Sequence, residues 1–183
     1  MYGRTMSFLR SMKQSLRMGT NMGQEMKVRK SSRAIVLNKE NHIFLFQYKF
    51  DYLAENNTIW ITPGGSLEEG ESFEDALKRE VYEELGVQLT KESPEIYYRN
   101  PIYTLKSGEK VQSVEKFFLV VLEEDSFSFN HWTESEKKRM IMGKWWSVEE
   151  IEKSEDEFFS KDIVRILKEL SGRKLAEEPQ KIV

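Results

Sequence analysis

The stretch of sequence that decides the fold runs from Gly64 to Val87 and reads GGSLEEGESFEDALKREVYEELGV. A Pro-Gly-Gly turn leads into an acidic loop, and a helix follows the loop. Ser72 can cap this helix, with Asp75 as its reciprocal partner three residues later. Gly86 ends the helix, because glycine tolerates the left-handed conformation of a helix terminus. The sequence therefore predicts a helix between residues 72 and 86.

The glutamates of this helix lie on the side of its apolar residues. At about 100° per residue, Glu84 lies roughly 40° from Glu80, inside the apolar stripe, and Glu83 lies at roughly −60°, on its edge. A charge run on a helix is usually a solvated face, but that interpretation places the glutamates opposite the stripe. A buried carboxylate is costly unless it is paired or bound to a cation. The stripe consists of Phe73, Ala76, Leu77, Val81 and Leu85.

Carboxylates at positions i, i+3 and i+4 of one helix are predicted to converge on one point. Oxygen ligands of this kind suit Mg²⁺ or Mn²⁺. The chain contains no cysteine, which excludes disulfides, thiolate metal sites and thiol nucleophiles. No histidine accompanies the glutamates either, and this argues against a zinc site.

The stretch resembles the signature of the Nudix hydrolases, G-x5-E-x7-R-E-U-x-E-E-x-G-U, in which U is an aliphatic residue. A weaker similarity of layout extends over about residues 33–170. The resemblance implies the Nudix α/β/α sandwich, in which a mixed β-sheet packs between helices. It also implies hydrolysis of a nucleoside diphosphate linked to another moiety, by in-line attack of water on phosphorus. The specified places are filled by Gly65, Glu71, Arg79, Glu80, Val81, Glu83, Glu84, Gly86 and Val87.

The resemblance also assigns roles within this stretch. It implies Glu80 and Glu84 as the main metal ligands. Glu83, directly or through water, and the backbone carbonyl of Gly64 would be further ligands. Glu80 is in addition the best candidate within the stretch to polarise the attacking water. Arg79 is expected to orient a glutamate, so its catalytic role would be a supporting one.

The general base is left open between this helix and a later segment, because members of the family differ on this point. In the later segment HWTESEKK, Glu136 and Glu134 are the candidates, although a solvated helical turn explains either one equally well. Glu115, on a predicted strand, is a third option. Before the helix, the aromatic residues Tyr48, Phe50 and Tyr52 are candidates to stack on a nucleobase.

Composition bounds the domain organisation. The chain has 183 residues, of which 39% are hydrophobic and 12% aromatic, enough for one core and one domain. Its net charge of −3 says little about partners. Residues 1–30 form a leader with seven basic residues, one acidic residue and six of the eight methionines. We expect the Nudix domain over residues 31–172 and a charged, frayed tail over residues 173–183.

The leader has three open interpretations. It is a disordered segment or one added by cloning, an amphipathic segment for targeting or for a membrane surface, or an arm for dimerisation. Elsewhere no apolar run reaches membrane-spanning length, so no membrane partner is expected. The absence of cysteine is compatible with a cytoplasmic location. A homodimer is an open alternative, since relatives commonly dimerise, and nucleic acid is not expected as a partner except as capped RNA.

The order of further elements follows from apolar runs and turn residues. Helices are expected at about 148–153 and 157–171, with a helical turn at 133–140. Strands are expected at 33–37, 42–50, 58–62, 95–105, 114–123 and 144–147.

The substrate stays open at this point. In the resembling family, a proline beyond the signature accompanies ADP-ribose hydrolysis and a tyrosine slightly later accompanies dinucleoside polyphosphates. This chain has both, as Pro101 and Tyr103. Nucleoside triphosphates, nucleotide sugars and capped RNA are further candidates. The competing hypothesis is a non-catalytic domain of the same fold that senses a nucleotide or binds a partner, although such members are expected to lose a glutamate that this chain keeps.

Overall fold

The computed structural model describes residues 26–53, 58–123, 127–128, 132, 134–172 and 175–183. No helix in these ranges is long and apolar enough to cross a membrane. In chain order the elements are β1 (Lys27–Leu37), β2 (Ile43–Lys49), β3 (Thr58–Ile61), β4 (Gly64–Ser66), α1 (Phe73–Leu85), β5 (Glu95–Arg99), β6 (Ile102–Thr104), β7 (Lys110–Val121), α2 (Glu134–Arg139), β8 (Met140–Trp146), α3 (Val148–Lys153), α4 (Ile163–Ser171) and β9 (Gln180–Lys181).

The described strands form one mixed sheet with β1 at its centre. The order is β3-β2-β1-β7-β5-β9, with β4 paired to β1, β6 to β7 and β8 to β2. β1 and β7 run parallel, from Lys27 opposite Val111 to Leu37 opposite Val121. β4 pairs antiparallel with β1 on the other side. The glycine pair of the signature stretch therefore lies directly beside the central strand.

The sheet packs between helices because alternate residues of a strand point to opposite faces. On one face, Ala34 and Val36 of β1 join a core with Leu77 of α1. On the other face, Ile35 joins a second core with Ile166 of α4. The predicted α/β/α sandwich with a mixed sheet is confirmed.

Several predicted bounds are wrong, and each difference has a local cause. The strand predicted at 95–105 is two strands, β5 and β6, which are separated at Pro101, a residue with no N–H to donate. The helix predicted from residue 157 begins at Ile163, because the backbone before it bonds to β3. There the Phe159 N–H donates to the carbonyl of Trp60 at 2.7 Å. The strand predicted at 144–147 is β8, which begins at Met140 and pairs along β2.

Both ends of the predicted domain also differ from the sequence prediction. β1 begins at Lys27, inside the predicted leader, and the remaining leader residues lie outside the described part of the chain. The prediction of a frayed tail is wrong at residues 180–182. β9 pairs in parallel with β5, and Ile182 is only 1% exposed in the second core. The Val183 N–H donates to Asp162 at 3.0 Å, which holds this segment beside α4.

Candidate active site

Helix α1 begins and ends as its sequence predicts. The Ser72 hydroxyl accepts from the Asp75 N–H at 3.1 Å and donates to the Asp75 carboxylate at 2.7 Å. Gly86 adopts a φ of 72°, and its N–H donates to the carbonyl of Tyr82. These two caps fix the helix along its axis and in rotation, and so they fix the direction of each glutamate.

Two of the three glutamates point into the protein. Glu80 is 6% exposed and Glu84 is 4% exposed, whereas the Glu83 side chain is 39% exposed. This matches the helical wheel, which places Glu83 at the edge of the apolar stripe. Because a buried carboxylate is costly without compensation, Glu80 and Glu84 define the centre of the candidate site.

The glycine pair of β4 lies directly against these carboxylates. The Gly64 N–H donates to Glu84 Oε2 at 2.7 Å. A Cβ atom at Gly65 would lie 2.3 Å from Glu80 Oε1, so only glycine leaves room for that carboxylate. Gly64 has a φ of +128°, and a Cβ there would lie 2.2 Å from the carbonyl oxygen of Ser32. The backbone of β4 therefore reaches the carboxylates because two successive residues lack side chains.

Arg79 joins the acidic loop to the helix. Its Nη1 donates to Glu80 Oε1 at 2.7 Å and to Glu83 Oε2 at 3.3 Å. Its Nε and Nη2 donate to the two carboxylate oxygens of Glu71 at 2.9 and 2.8 Å. Nη2 also donates to the carbonyl of Ser66 at 3.0 Å. One planar guanidinium thus fixes the position of two glutamates of α1 relative to β4.

The three glutamates of α1 contact different groups of the protein. The sequence predicts instead that their carboxylates converge on one point. Glu80 and Glu83 contact Arg79, while Glu84 contacts β4. Within the described ranges, no three acidic or histidine side chains are grouped closely enough to hold one ion together. The donors nevertheless suit a hard divalent cation, since two buried carboxylates lie one helical turn apart against a glycine backbone.

The carbonyl of Gly64, predicted as a metal ligand, accepts a hydrogen bond from Arg33. The distance from Arg33 Nη1 to this oxygen is 2.8 Å, and the same nitrogen lies 3.4 Å from the carbonyl of Thr62. A carbonyl oxygen has two lone pairs, so this bond leaves capacity for a second partner. Arg33 also lines a cleft beside β4.

A cleft that opens to solvent lies beside β4. The odd-numbered residues at the start of β1 share one face, and three of them line the cleft: Lys27, Arg29 and Arg33. Arg99 of β5 adds a fourth cation, against the acidic residues Glu109 and Glu115. The cleft is thus cationic in a chain whose net charge is negative. Its remaining lining residues include Phe50, Tyr52, Thr62, Ser66, Tyr103, Ser113 and Phe159.

Glu115 lies at the floor of the cleft and is 2% exposed. Its carboxylate accepts from Arg99 at 2.9 Å, from the Ser113 hydroxyl at 3.0 Å and from the Tyr103 hydroxyl at 3.2 Å. Burial alone would raise the pKa of Glu115, but Arg99 and Arg33 outweigh it and hold the pKa at about 2. A carboxylate held ionised in this way is a weak proton acceptor, which argues against Glu115 as the general base.

An aromatic row borders the cleft. The rings of Tyr48 and Phe50 are 4.8 Å apart, and those of Phe50 and Tyr52 are 5.8 Å apart. Phe50 and Tyr52 follow β2 and line the cleft, as expected of residues that stack on a nucleobase. Tyr48 lies within β2 and is not one of the residues that line the cleft. Arg139 lies over the Tyr52 ring at 5.6 Å, and its Nε donates to Asp51 at 2.9 Å.

The two later carboxylates are placed on α2. Glu134 is exposed and pairs with Lys137 at 3.1 Å, so its described contacts are those of a solvated helix. The backbone of Glu136 lies in the same helix, but its side chain is outside the described part of the structure. The prediction that Glu136 supplies the general base therefore stays a prediction.

Sequence reasoning missed the basic face of β1. The signal was present in KVRKSSR, where Lys27, Arg29 and Arg33 have the spacing of one strand face. Assigning residues 27–30 to the leader concealed it. Arg99 and Ser113 have no such local signal, because strand pairing brings them together over a long separation in sequence.

Comparisons with known proteins identify the family of this chain. The family model described as NUDIX domain matches residues 27–167. The chain is 30% identical over 104 residues to the RNA pyrophosphohydrolase of Wolbachia sp. subsp. Brugia malayi (strain TRS), covering 53% of this chain and 62% of that protein. It is 35% identical over 57 residues to the 8-oxo-dGTP diphosphatase of Proteus vulgaris, covering 31% of this chain and 49% of that protein. The chain therefore spans about half to three fifths of the length of these relatives.

A solved structure supports the fold. The MutT protein from Methanosarcina mazei Go1 superimposes with a TM-score of 0.59 at 20% sequence identity, covering 82% of this chain and 98% of that one. At this identity the likeness concerns the fold alone. The match to the family model extends over well more than half of the sequence and includes the complete signature. The chain belongs to the NUDIX family.

Proposed function

We propose that the protein is a pyrophosphohydrolase dependent on Mg²⁺ or Mn²⁺, which hydrolyses a nucleoside diphosphate linked to another moiety. The observation that carries this proposal is that Glu84, a buried glutamate of α1, is linked through Gly64 to Arg33, which lines a cationic cleft. Gly64 contacts both regions, since its N–H donates to Glu84 and its carbonyl accepts from Arg33. A phosphate chain lying in the cleft thus has its reacting phosphorus close to the buried carboxylates.

Glu80 and Glu84 are the residues proposed to hold the metal, with the carbonyl of Gly64 as an additional ligand and Glu83 acting through a bound water. All four supply the oxygen donors that Mg²⁺ and Mn²⁺ prefer. When bound, such an ion neutralises charge on the phosphate oxygens and lowers the pKa of a bound water.

The remaining chemistry is assigned to side chains of the chain itself. Arg79 orients Glu80 and Glu83, because its guanidinium is fixed by Glu71. The attacking water oxygen forms a bond to phosphorus as the bond from phosphorus to the leaving oxygen breaks in line. Glu80 is proposed to take the proton of that water, and Glu136 is the alternative acceptor.

The cleft is proposed to bind the rest of the substrate. Arg29 and Arg33 are suited to phosphate oxygens, since a guanidinium donates in a planar fork. Phe50 and Tyr52 offer flat apolar surfaces to a nucleobase, for which stacking is the expected contact. Together these residues favour a substrate with several negative charges followed by an aromatic group, which is the chemistry of a nucleotide.

The names of the relatives narrow the candidates. One is an RNA pyrophosphohydrolase and another an 8-oxo-dGTP diphosphatase, and both names denote cleavage at a phosphoanhydride. RNA with a 5′-phosphate chain or cap and nucleoside triphosphates are therefore tested first. ADP-ribose, dinucleoside polyphosphates and nucleotide sugars follow.

The experiment is a hydrolysis assay on this panel with coupled phosphate detection. Each compound is incubated with Mg²⁺, with Mn²⁺ and with chelator. We expect at least one compound to be cleaved, and only when a metal is present. Cleavage that persists in chelator contradicts the metal assignment. Binding of a panel compound with no cleavage of any supports the non-catalytic nucleotide-sensing domain instead.

A further inference from the structure

Arg33 connects the two halves of the site. Its Nη1 donates to the carbonyl of Gly64 at 2.8 Å, and the N–H of the same glycine donates to Glu84 at 2.7 Å. Arg33 also lines the cleft. One residue of backbone is therefore all that separates a guanidinium in the substrate cleft from a buried carboxylate of the proposed metal site.

The guanidinium has donors left for a ligand. Both of its acceptors among the described residues, the carbonyls of Thr62 and Gly64, are reached from Nη1. Nε and Nη2 bond to no acceptor in the described part of the chain. In a cleft wall these donors match the oxygens of a phosphate, which a guanidinium binds in a planar fork.

The charge of Arg33 acts on the metal site as well. Arg33 and Glu84 carry opposite charges and bond to the carbonyl and the N–H of the same residue, Gly64, so they attract each other. The attraction is mutual, so Arg33 partly offsets the negative charge of Glu84. A divalent cation bound by Glu84 would be repelled by the same guanidinium.

We propose that Arg33 couples substrate phosphate to the metal: it opposes cation binding while the cleft is empty, and a phosphate bound in the cleft offsets its charge and removes that opposition. The proposal rests on the proposed function. It follows by linkage that the coupling is reciprocal, so the metal also tightens the binding of phosphate by the same factor. An empty cleft would then hold the metal weakly, and the enzyme would assemble its site around its substrate.

The test is Mn²⁺ binding, measured from the electron paramagnetic resonance signal of the free ion, without and with sulfate. Sulfate serves as the probe for phosphate because it complexes Mn²⁺ only weakly in water. For the wild-type protein we expect sulfate to tighten Mn²⁺ binding about fivefold, at the lower end of typical coupling between sites. For Arg33→Met we expect Mn²⁺ binding without sulfate to be about fivefold tighter than in the wild type, with no further gain from sulfate.

Tighter Mn²⁺ binding by Arg33→Met, which removes the charge, distinguishes coupling from structural damage, because damage would weaken Mn²⁺ binding. Arg33→Lys covers the case in which Arg33→Met does not fold. It keeps the charge but loses the planar fork. We expect its affinity for Mn²⁺ without sulfate to stay near the wild-type value and the effect of sulfate to fall to about twofold. Arg165→Met, which removes a half-buried arginine of α4, is the control and is expected to match the wild type.

Two results overturn the coupling. One is Mn²⁺ binding by Arg33→Met that is no tighter than in the wild type, and the other is a full sulfate effect in Arg33→Lys. Mn²⁺ binding by Glu84→Gln shows whether the coupling alone is wrong or the proposed metal site is wrong as well. If the wild-type protein does not bind Mn²⁺, or Glu84→Gln binds it equally well, the metal site is wrong and the coupling with it.

Discussion

The main-chain N–H of Gly64 donates a 2.7 Å hydrogen bond to Oε2 of Glu84, a residue buried on helix α1. This bond joins the two ends of the signature stretch, because Gly64 is its first glycine and Glu84 its last glutamate. A turn earlier on the helix, Glu80 lies so close to Gly65 that a Cβ atom would not fit between them. The position of the carboxylates therefore depends on the backbone of β4 as much as on the helix.

Gly65→Ala tests this dependence. The new Cβ atom would lie 2.3 Å from Glu80 Oε1 and displace the carboxylate. We expect kcat to fall about 10- to 100-fold, the usual effect of disturbing the support of a metal ligand. Steady-state kinetics measures the loss. Gly172→Ala is the matched control, because a Cβ there would meet the nearest backbone oxygen at an ordinary 3.5 Å. Unchanged kcat in Gly65→Ala would show that Glu80 does not need this space.

Arg79→Lys tests the positioning of the glutamates. A lysine keeps the charge but cannot reach Glu71, Glu80 and Ser66 at once, as the guanidinium does. We expect kcat to fall about 10- to 100-fold while KM changes little. The control is Arg165→Lys, at an arginine whose ion pairs are on the surface. A change in KM alone would instead place Arg79 in substrate binding.

Tyr52→Ala tests the aromatic border of the cleft. Removing a stacking partner of a base typically costs about 1–3 kcal/mol, so we expect KM to rise about tenfold with a smaller change in kcat. Tyr82→Ala is the control, since Tyr82 is 46% exposed and lies on the outer side of α1. Equal KM values for the two variants would exclude Tyr52 from the substrate site.

Glu115→Gln tests the ionised floor of the cleft through the dependence of stability on pH. The pKa of Glu115 is about 2 in the folded protein, below its ordinary value of 4.5. A lowered pKa stabilises the fold fully above pH 4.5, and this contribution is lost as the pH falls from 4.5 to 2. At pH 7 we expect the variant to lose about 3 kcal/mol of unfolding free energy, because Arg99 is left without its buried partner.

Urea denaturation at a series of pH values measures this effect. The difference between wild type and Glu115→Gln should narrow as the pH falls from 4.5 to 2. Glu134→Gln, at an exposed side chain of α2, should match the wild type throughout. A difference that is constant across this range would mean that Glu115 is not ionised in the fold.

The sequence predicted the parts of the structure that depend on local signals. The caps of α1 at Ser72 and Gly86 are set by residues within a few positions of each helix end. The burial of Glu80 and Glu84 followed from helical periodicity alone. The tail strand β9 could not be predicted, because Ile182 is a single apolar residue in a charged segment and is buried only through pairing with β5.

Most of the cleft could not be predicted from the sequence, because its residues are brought together by strand pairing. Glu115 and Arg99 meet because β5 pairs with β7, and Arg33 reaches Gly64 because β4 pairs with β1. Neither pairing has a signature in a single sequence. Only the alternating cations of β1 offered a local clue.

The most direct test of the central claim is the turnover of Glu84→Gln on whichever compound the wild-type protein hydrolyses, with Glu74→Gln as the matched control. Both changes replace a glutamate of α1 by an amide of the same shape, but Glu84 is buried at the site, whereas the Glu74 side chain is 40% exposed and pairs with Lys78. We predict that Glu84→Gln stays folded by circular dichroism and loses at least about 100-fold in kcat, the upper end of losses around metal sites, while Glu74→Gln keeps wild-type kcat. A folded Glu84→Gln protein with near wild-type turnover would contradict the assignment of this carboxylate to a catalytic metal site.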